Sequence, residues 1–339
     1  MKVENPAPIL SICIATYNRE KFIAETLDSI VPQLDECIEV IVVDGASPDN
    51  TCEVMSRYSE HHQIRYFRED INQGVDRDYD KAIRYSSGKY CWLFTDDDIL
   101  KPTAIREVLD SLKSGCNLLV LNSEIKDAQL SNVLKDQAIQ GEDLVIPNDP
   151  ELFFKQFAFH LTFIGYVVIK RDLWLARDRE SYFNTAFIHV GVIFQFPPIE
   201  HVQFKSKPLL TIRYGNAMWT ARGFLIWTFN WPRLIWSFKA FSDRAKEAVS
   251  SQKPYENIRM LMYQRALGAF TIKEYTQFLF FKSSVLSNLT GLIIAVTPGS
   301  VINAITYLYF KKYKANEALA LYDLRRSIFH SNWLVKLFS

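Results

Sequence analysis

Residues 89–100 read KYCWLFTDDDIL, an apolar run that ends in three consecutive carboxylates, Asp96, Asp97 and Asp98. Adjacent carboxylates repel one another, and the repulsion raises the pKa of at least one of them. Packing offers no compensation for that cost. A hard divalent cation does: Mg2+ and Mn2+ prefer oxygen ligands, often one or two carboxylates plus substrate phosphates. The plainer alternative is a solvated acidic turn in which Asp98 caps a helix starting near Pro102. The flanking elements have to choose between the two.

Those elements alternate. Ile9 to Thr16 is an apolar run of strand length, and Tyr17-Asn18-Arg19 breaks it. Glu20 to Val31 then places Phe22, Ile23, Leu27, Ile30 and Val31 on one helical face. Ile38 to Val43 reads as a second strand, followed by the loop Asp44 to Asn50 and a helix over 51–58. Ile64 to Phe67 is a third, short strand. Asn72-Gln73-Gly74 is a turn into a helix over 76–85, and Tyr90 to Phe94 is the strand that delivers the triplet. A helix over 103–112 and a strand over 117–121 follow. Continuous apolar strands separated by helices predict an α/β fold, a mostly parallel sheet covered on both faces. Ligands of such sheets bind beyond the carboxyl ends of the strands. Thr16-Tyr17, Asp44, Asn72 to Gly74 and the acidic triplet all fall at those ends.

Composition narrows the class. A chain of 339 residues holds one large or two modest domains. Its net charge of +1 supplies no global field to recruit nucleic acid. Cysteines 13, 37, 52, 91 and 116 are odd in number and fit neither a zinc nor a CxxC spacing, so they read as reduced core residues of a cytosolic protein. Met1 to Pro8 is polar and predicts no secretory leader. Ser283 to Phe310 is uncharged, but Pro298-Gly299 interrupts it, which predicts two short helices rather than one membrane span.

The stretches SICIATYNR, VIVVDGASPDNT, NQGVDRDYDKAI and CWLFTDDDIL, in this order and spacing, resemble the family 2 glycosyltransferases, which have the Rossmann-like GT-A fold. The resemblance covers roughly residues 8 to 125. Within the family, the triple-Asp form and the length are similar to O-antigen enzymes of the abequosyltransferase type. The resemblance implies a nucleotide-diphosphate-sugar donor and an Mn2+ or Mg2+ ion on its diphosphate. It assigns Thr16 and Tyr17 to the base-contacting loop, with Tyr17 either stacked on the base or a plain surface aromatic. Asp44 matches the carboxylate that accepts from the base. Arg19 faces phosphate or solvent, and Arg77 phosphate or nothing. Asn72, Gly74 and Asp78 border the donor. The usual family pattern has Asp where Thr95 stands, so the cation role shifts to Asp96-x-Asp98: Asp98 for the metal, Asp96 for ribose or metal-bound water, and Asp97 as structural.

Beyond residue 125 the pattern loosens. Asp127 to Asp149 reads as a polar loop, and Gly165 to Lys170 as a strand at the sheet's edge. The family usually carries an acidic base near residue 190, yet no acid lies between Ser181 and Ile199. His189 stands at that position, either as a general base or as a core histidine bonded to a carbonyl. Arg213, Asn216 and Trp219 lie where the family closes a loop on donor and acceptor. The predicted domains are 1–215, catalytic, and 216–339, helical and aromatic-rich. From Val301 onward, six Lys or Arg stand against Glu317 and Asp323. Apolar helices beside basic residues suit attachment to an anionic inner leaflet. The expected protein is therefore a cytoplasmic, peripherally membrane-associated sugar transferase. It would act on a saccharide acceptor carried on a polyprenyl diphosphate, with a 3,6-dideoxyhexose such as abequose as one donor sugar. Two other classes remain: a nucleotidyltransferase, for which ATYNR lacks the glycine- and lysine-rich phosphate loop, and a degenerate sugar- or nucleotide-binding scaffold.

Overall fold

A computed structural model describes residues 7–216, 223–280 and 285–338. The chain divides into two compact units, Met1–Tyr214 with Phe238–Val249, and Gly215–Ser237 with Ser250–Ser339.

The first unit opens with β1 (Leu10–Thr16), α1 (Ile23–Ile30), β2 (Ile38–Asp44), α2 (Thr51–Ser56) and β3 (Ile64–Arg68). It continues with α3 (Val75–Tyr85), β4 (Tyr90–Phe94), β5 (Ile99–Leu100), α4 (Ala104–Leu112), β6 (Leu118–Lys126), β7 (Val133–Lys135) and β8 (Leu144–Val145). Then come α5 (Pro150–Phe157), β9 (Val167–Lys170), α6 (Arg171–Leu175), α7 (Ile188–Phe194) and β10 (Val202–Arg213). The strands form one mixed sheet in the order β3-β2-β1-β4-β9-β6-β10-β5, with β7 beside β6 and β8 beside β10. Strands β3, β2, β1 and β4 are mutually parallel, and every residue of β1, β2 and β4 is buried. The order reverses at β1, which lies between β2 and β4. That switch opens a crevice at the carboxyl ends of β1 and β4.

Strand β9 is not at the edge. It lies between β4 and β6, antiparallel to both. The reason is burial: Val167, Val168 and Ile169 are inaccessible to solvent, which an edge strand does not achieve. The Trp92 indole N–H donates to the Gly165 carbonyl at 2.9 Å and pins the entry of β9. The polar stretch 127–149, read as a loop, contributes β7 and β8.

The segment 238–249, predicted to belong to the helical region, packs with the first unit. Phe241 stacks on Phe154 at 4.0 Å between ring centroids, and Phe194 and Phe238 close the cluster. Four aromatic rings interlocked in this way outweigh sequence proximity to the helices on either side.

The second unit is helical. Aromatic and aliphatic residues of 224–295, among them Phe224, Phe270 and Tyr275, form one cluster, and Ala266, Ile302, Tyr307 and Leu324 form another. Buried Asn303 donates to the carbonyls of Ala266 and Leu324 and faces His330 Nδ1 at 3.1 Å, a polar pin between helices. The uncharged stretch forms two helices, Val285–Val296 and Gly299–Tyr313, bent by 105° at the predicted break. Among the described residues no single helix is long and apolar enough to cross a membrane.

Phe154→Ala should destabilise the first unit by about 3–5 kcal/mol through the cavity it leaves. The urea midpoint of this unit reads the loss; a change below about 1 kcal/mol would show that the 238–249 excursion is not part of its core.

Candidate active site

The pairing register sets the site. Thr16 is paired with Asp44 across β1 and β2, and Ile14 with Phe94 across β1 and β4. The chain leaving β4 therefore carries the acidic triplet past the end of β1. All three aspartates are buried, as is Arg19, which follows β1. Arg19 Nε lies 3.3 Å from Asp96 Oδ1, and its Nη2 lies 3.4 Å from Asp97 Oδ2. Its backbone N–H donates to Thr51 Oγ1 at 3.0 Å, so α2 holds the arginine's backbone in place.

Asp98 has a different job. One of its carboxylate oxygens accepts from the Arg213 backbone N–H at 2.7 Å, and the other accepts from the Thr95 hydroxyl. Its carbonyl accepts from Thr26 Oγ1 of α1 at 2.9 Å. Arg213 in turn donates to the carbonyls of Asp97 (3.0 Å) and Ala128 (3.1 Å) and pairs with Glu25. Asp98 and Arg213 thus lock β10, α1 and the triplet loop together. Asp98, expected to hold the metal, and Arg213, expected at the loop that closes on donor and acceptor, thus both have protein partners here. Asp96 and Asp97 are the pair turned toward Arg19.

The charges are not compensated. Burial, and then the neighbouring Asp97 charge, push the Asp96 carboxyl up to about 7 against the pull of Arg19. Burial and Asp97 likewise push Asp98 well above the usual carboxylate range. These residues fit a cation. Two carboxylate side chains side by side at a crevice match the donor set that Mg2+ or Mn2+ takes when phosphates supply the rest. Among the described residues no cluster of three or more His, Cys, Asp or Glu offers an all-protein cage.

At the end of β2, Asp44 accepts from the Ser47 N–H at 2.8 Å and from the Tyr66 hydroxyl at 2.5 Å. It orders its own turn, and each oxygen keeps a lone pair. Gly45 follows because nothing larger fits: a Cβ there would lie 2.6 Å from Asp78 Oδ2 and 3.8 Å from Asn72 Cγ. Asp44, Asn72 and Asp78 therefore converge on one spot. Burial pushes Asp78 up to about 7, helped by Glu69 and Asp44, and its Oδ1 is buried with no hydrogen-bond partner. Asn72 is exposed and accepts from the Gly74 N–H; Gly74 caps α3 at φ 93°. Tyr17, which follows β1, is half-buried. Arg77 stacks on Phe183 at 4.3 Å instead of lying free.

His189 is a core residue. It is 2% exposed, and its Nε2 lies 2.7 Å from the Leu161 carbonyl. A carbonyl only accepts, so Nε2 carries the proton. Burial depresses the pKa to about 4. The ring thus sits as a buried histidine bonded to a carbonyl, with the lone pair on Nδ1, which is buried without a hydrogen-bond partner. Asn216 belongs to the second unit, and Trp219 lies outside the described residues.

Sequence reading passed over Asp76, which accepts from the N–H groups of Ala186 (2.9 Å) and Ile188 (3.1 Å) and so ties α3 to the start of α7. Its one sequence signal is a second acid in the first turn of α3, two residues before Asp78. Tyr66, whose hydroxyl orients Asp44, carried no signal, and Thr95, whose hydroxyl donates to Asp98, stood out only as a departure from the family pattern.

Solved structures share this architecture. A mannosyltransferase from Pyrobaculum calidifontis, in complex with GDP-Man and Mn2+, matches with a TM-score of 0.54 at 14% identity, covering 94% of this chain and 86% of that one. TarS 1–349 of S. aureus in complex with UDP matches with a TM-score of 0.51 at 13% identity, covering 97% and 90%. At such identities the likeness shows the fold, a GT-A-like mixed α/β sheet with a helical C-terminal region. Residues 11–173, just under half of the chain, match glycosyl transferase family 2, and the protein is a glycosyltransferase carrying a domain of that family. The chain is also 27% identical over 282 residues to abequosyltransferase RfbV of Salmonella typhimurium, spanning 74% of this chain and 79% of that protein. It is 26% identical over 199 residues to the GalNAc(5)-diNAcBac-PP-undecaprenol beta-1,3-glucosyltransferase of Campylobacter jejuni, spanning 53% of this chain and 63% of that protein.

The division of labour in the triplet is testable by thermal unfolding. Asp98→Ala strands the Arg213 N–H and should cost about 1–3 kcal/mol. Asp97→Asn removes a like charge from its neighbours and should leave the melting temperature unchanged or higher. Equal losses in the two variants would contradict the assignment.

Proposed function

We propose that this glycosyltransferase moves a sugar from a nucleotide-diphosphate donor to a saccharide carried on a polyprenyl diphosphate, in the assembly of a bacterial surface polysaccharide such as O-antigen. The observation that supports the reading is the buried carboxylate pair Asp96 and Asp97, aligned with Arg19 at the switch point of the sheet. The similarity to a transferase of abequose, a 3,6-dideoxyhexose, and to one whose acceptor is linked to undecaprenol supports the donor and acceptor classes. The work takes place at the inner face of the membrane, where such an acceptor is within reach.

In this reading the nucleoside lies over Thr16, Tyr17 and Asp44, and Asp44 accepts from the base with its remaining lone pairs. Asn72 and the unpartnered Asp78 oxygen face the donor from the start of α3. Asp96 and Asp97 would hold Mn2+ or Mg2+, with the positive charge of Arg19 beside them, and such an ion would supply charge neutralisation for the leaving diphosphate. Asp98, Thr95 and Arg213 keep the pair in register while the glycosidic bond breaks through an oxocarbenium-like transition state. Burial of His189 is the one observation on the side of binding without transfer, and a turnover assay answers it.

Release of nucleoside diphosphate from a panel of UDP-, GDP-, CDP- and dTDP-sugars tests the proposal. Slow release that requires Mn2+ or Mg2+, stops in EDTA and falls about 100-fold or more in Asp97→Asn is expected. No release from any donor, with wild type and Asp97→Asn alike, would leave only a binding protein.

A further inference from the structure

The two units carry opposite charge. Residues 215–237 and 250–339 contain thirteen Lys and Arg against four Asp and Glu, a formal +9, although the whole chain is only +1. The catalytic unit is correspondingly acidic. The basic unit also displays the helix Val285–Val296, which has no charged residue. Leu286, Leu289, Ile293 and Val296 are each 55–75% exposed and recur at i, i+3, i+7 and i+10, so they form one stripe. The opposite face is apolar too: Gly291 packs on Tyr275 and Leu279, and Ile294 and Ala295 are buried. A helix packed on one side and carrying an open aliphatic stripe on the other, with Ser287, Asn288 and Thr290 as its polar residues, lacks an apolar neighbour at the stripe.

We infer that this stripe enters one leaflet of an anionic lipid bilayer and anchors the helical unit without crossing it. The inference rests on the peripheral-membrane reading above and specifies the surface that makes contact. Three observations support lipid over a protein partner. First, two threonine hydroxyls are satisfied locally: Thr290 of this helix donates to the Leu286 carbonyl at 2.9 Å, and Thr297, just past its end, donates to that of Ile293 at 2.6 Å. Such groups enter hydrocarbon without losing partners. Second, the stripe is purely aliphatic, whereas protein interfaces draw their energy from Trp, Tyr and Arg. Third, a +9 body complements an anionic headgroup layer.

The chain bends at Pro298-Gly299, so the helix ends rather than continuing through a bilayer. Gly299 is needed at the bend because a Cβ would lie 2.6 Å from the Phe329 ring. Phe329 carries the neighbouring Ile328, 87% exposed, beside the same bend. The stripe and this residue make an apolar tip suited to a depth of one leaflet.

Vesicle flotation of the full chain tests the inference, with donor hydrolysis and melting temperature read on every variant. Wild type should float with phosphatidylglycerol vesicles, float poorly with phosphatidylcholine vesicles, and release as salt rises. Leu289→Ser/Ile293→Ser should lower flotation about tenfold with hydrolysis and melting unchanged. A double variant that floats like wild type overturns the stripe as the anchor and leaves the peripheral reading standing. Wild type that never floats overturns that reading and the anchor with it. A wild-type dimer that becomes monomeric in the variant, without lipid binding, assigns the stripe to a second copy of the chain and overturns the inference.

Discussion

Three carboxylates buried at the rim of a sheet, with the Arg19 guanidinium set against two of them, form the constraint on which the rest of the structure depends. Burial and mutual repulsion drive Asp96 and Asp98 far above the normal carboxylate range, so the fold stores unfavourable electrostatic free energy there. Elements distant in sequence converge to hold it. Helix α1 contributes Thr26, α2 contributes Thr51 to the Arg19 backbone, and β10 contributes Arg213. An arrangement this costly persists where a ligand relieves it, and strain of that kind clusters at functional sites.

The same logic explains the split among the three aspartates. In the proposed reading, a cation on Asp96 and Asp97 needs a loop that does not yield when charge arrives. Asp98 would supply that rigidity, because both its oxygens accept from protein donors. Asp78 repeats the theme on a smaller scale: burial pushes its carboxyl up to about 7, its Oδ2 lies against Gly45, and its Oδ1 has no hydrogen-bond partner.

Much of this was legible in the sequence because its causes are local. Strands β1, β2 and β4 read as strands because buried parallel strands are continuously apolar, and the triplet stood out because adjacent charges have no packing rationale. The rest depends on tertiary partners. The place of β9 between β4 and β6 is set by pairing, which four apolar residues cannot reveal. The hydrogen bonding of Asp98 turns on Arg213, 115 residues away. His189 fell on the position of a family base, yet burial against Leu161 decides its state, and burial is not written into a single residue. The excursion 238–249 joined the first unit through aromatic packing that proximity in sequence disguises.

Calorimetric titration with UDP or GDP near pH 6.5, in buffers of different ionisation enthalpy, tests the central claim most directly. With Asp96 half-titrated near pH 7, a cation that requires ionised carboxylates must displace protons as it binds. The account predicts that nucleotide binding needs Mn2+ or Mg2+ and releases protons, and that the release disappears in Asp96→Asn. Equal affinity in EDTA, with no proton released, would contradict it.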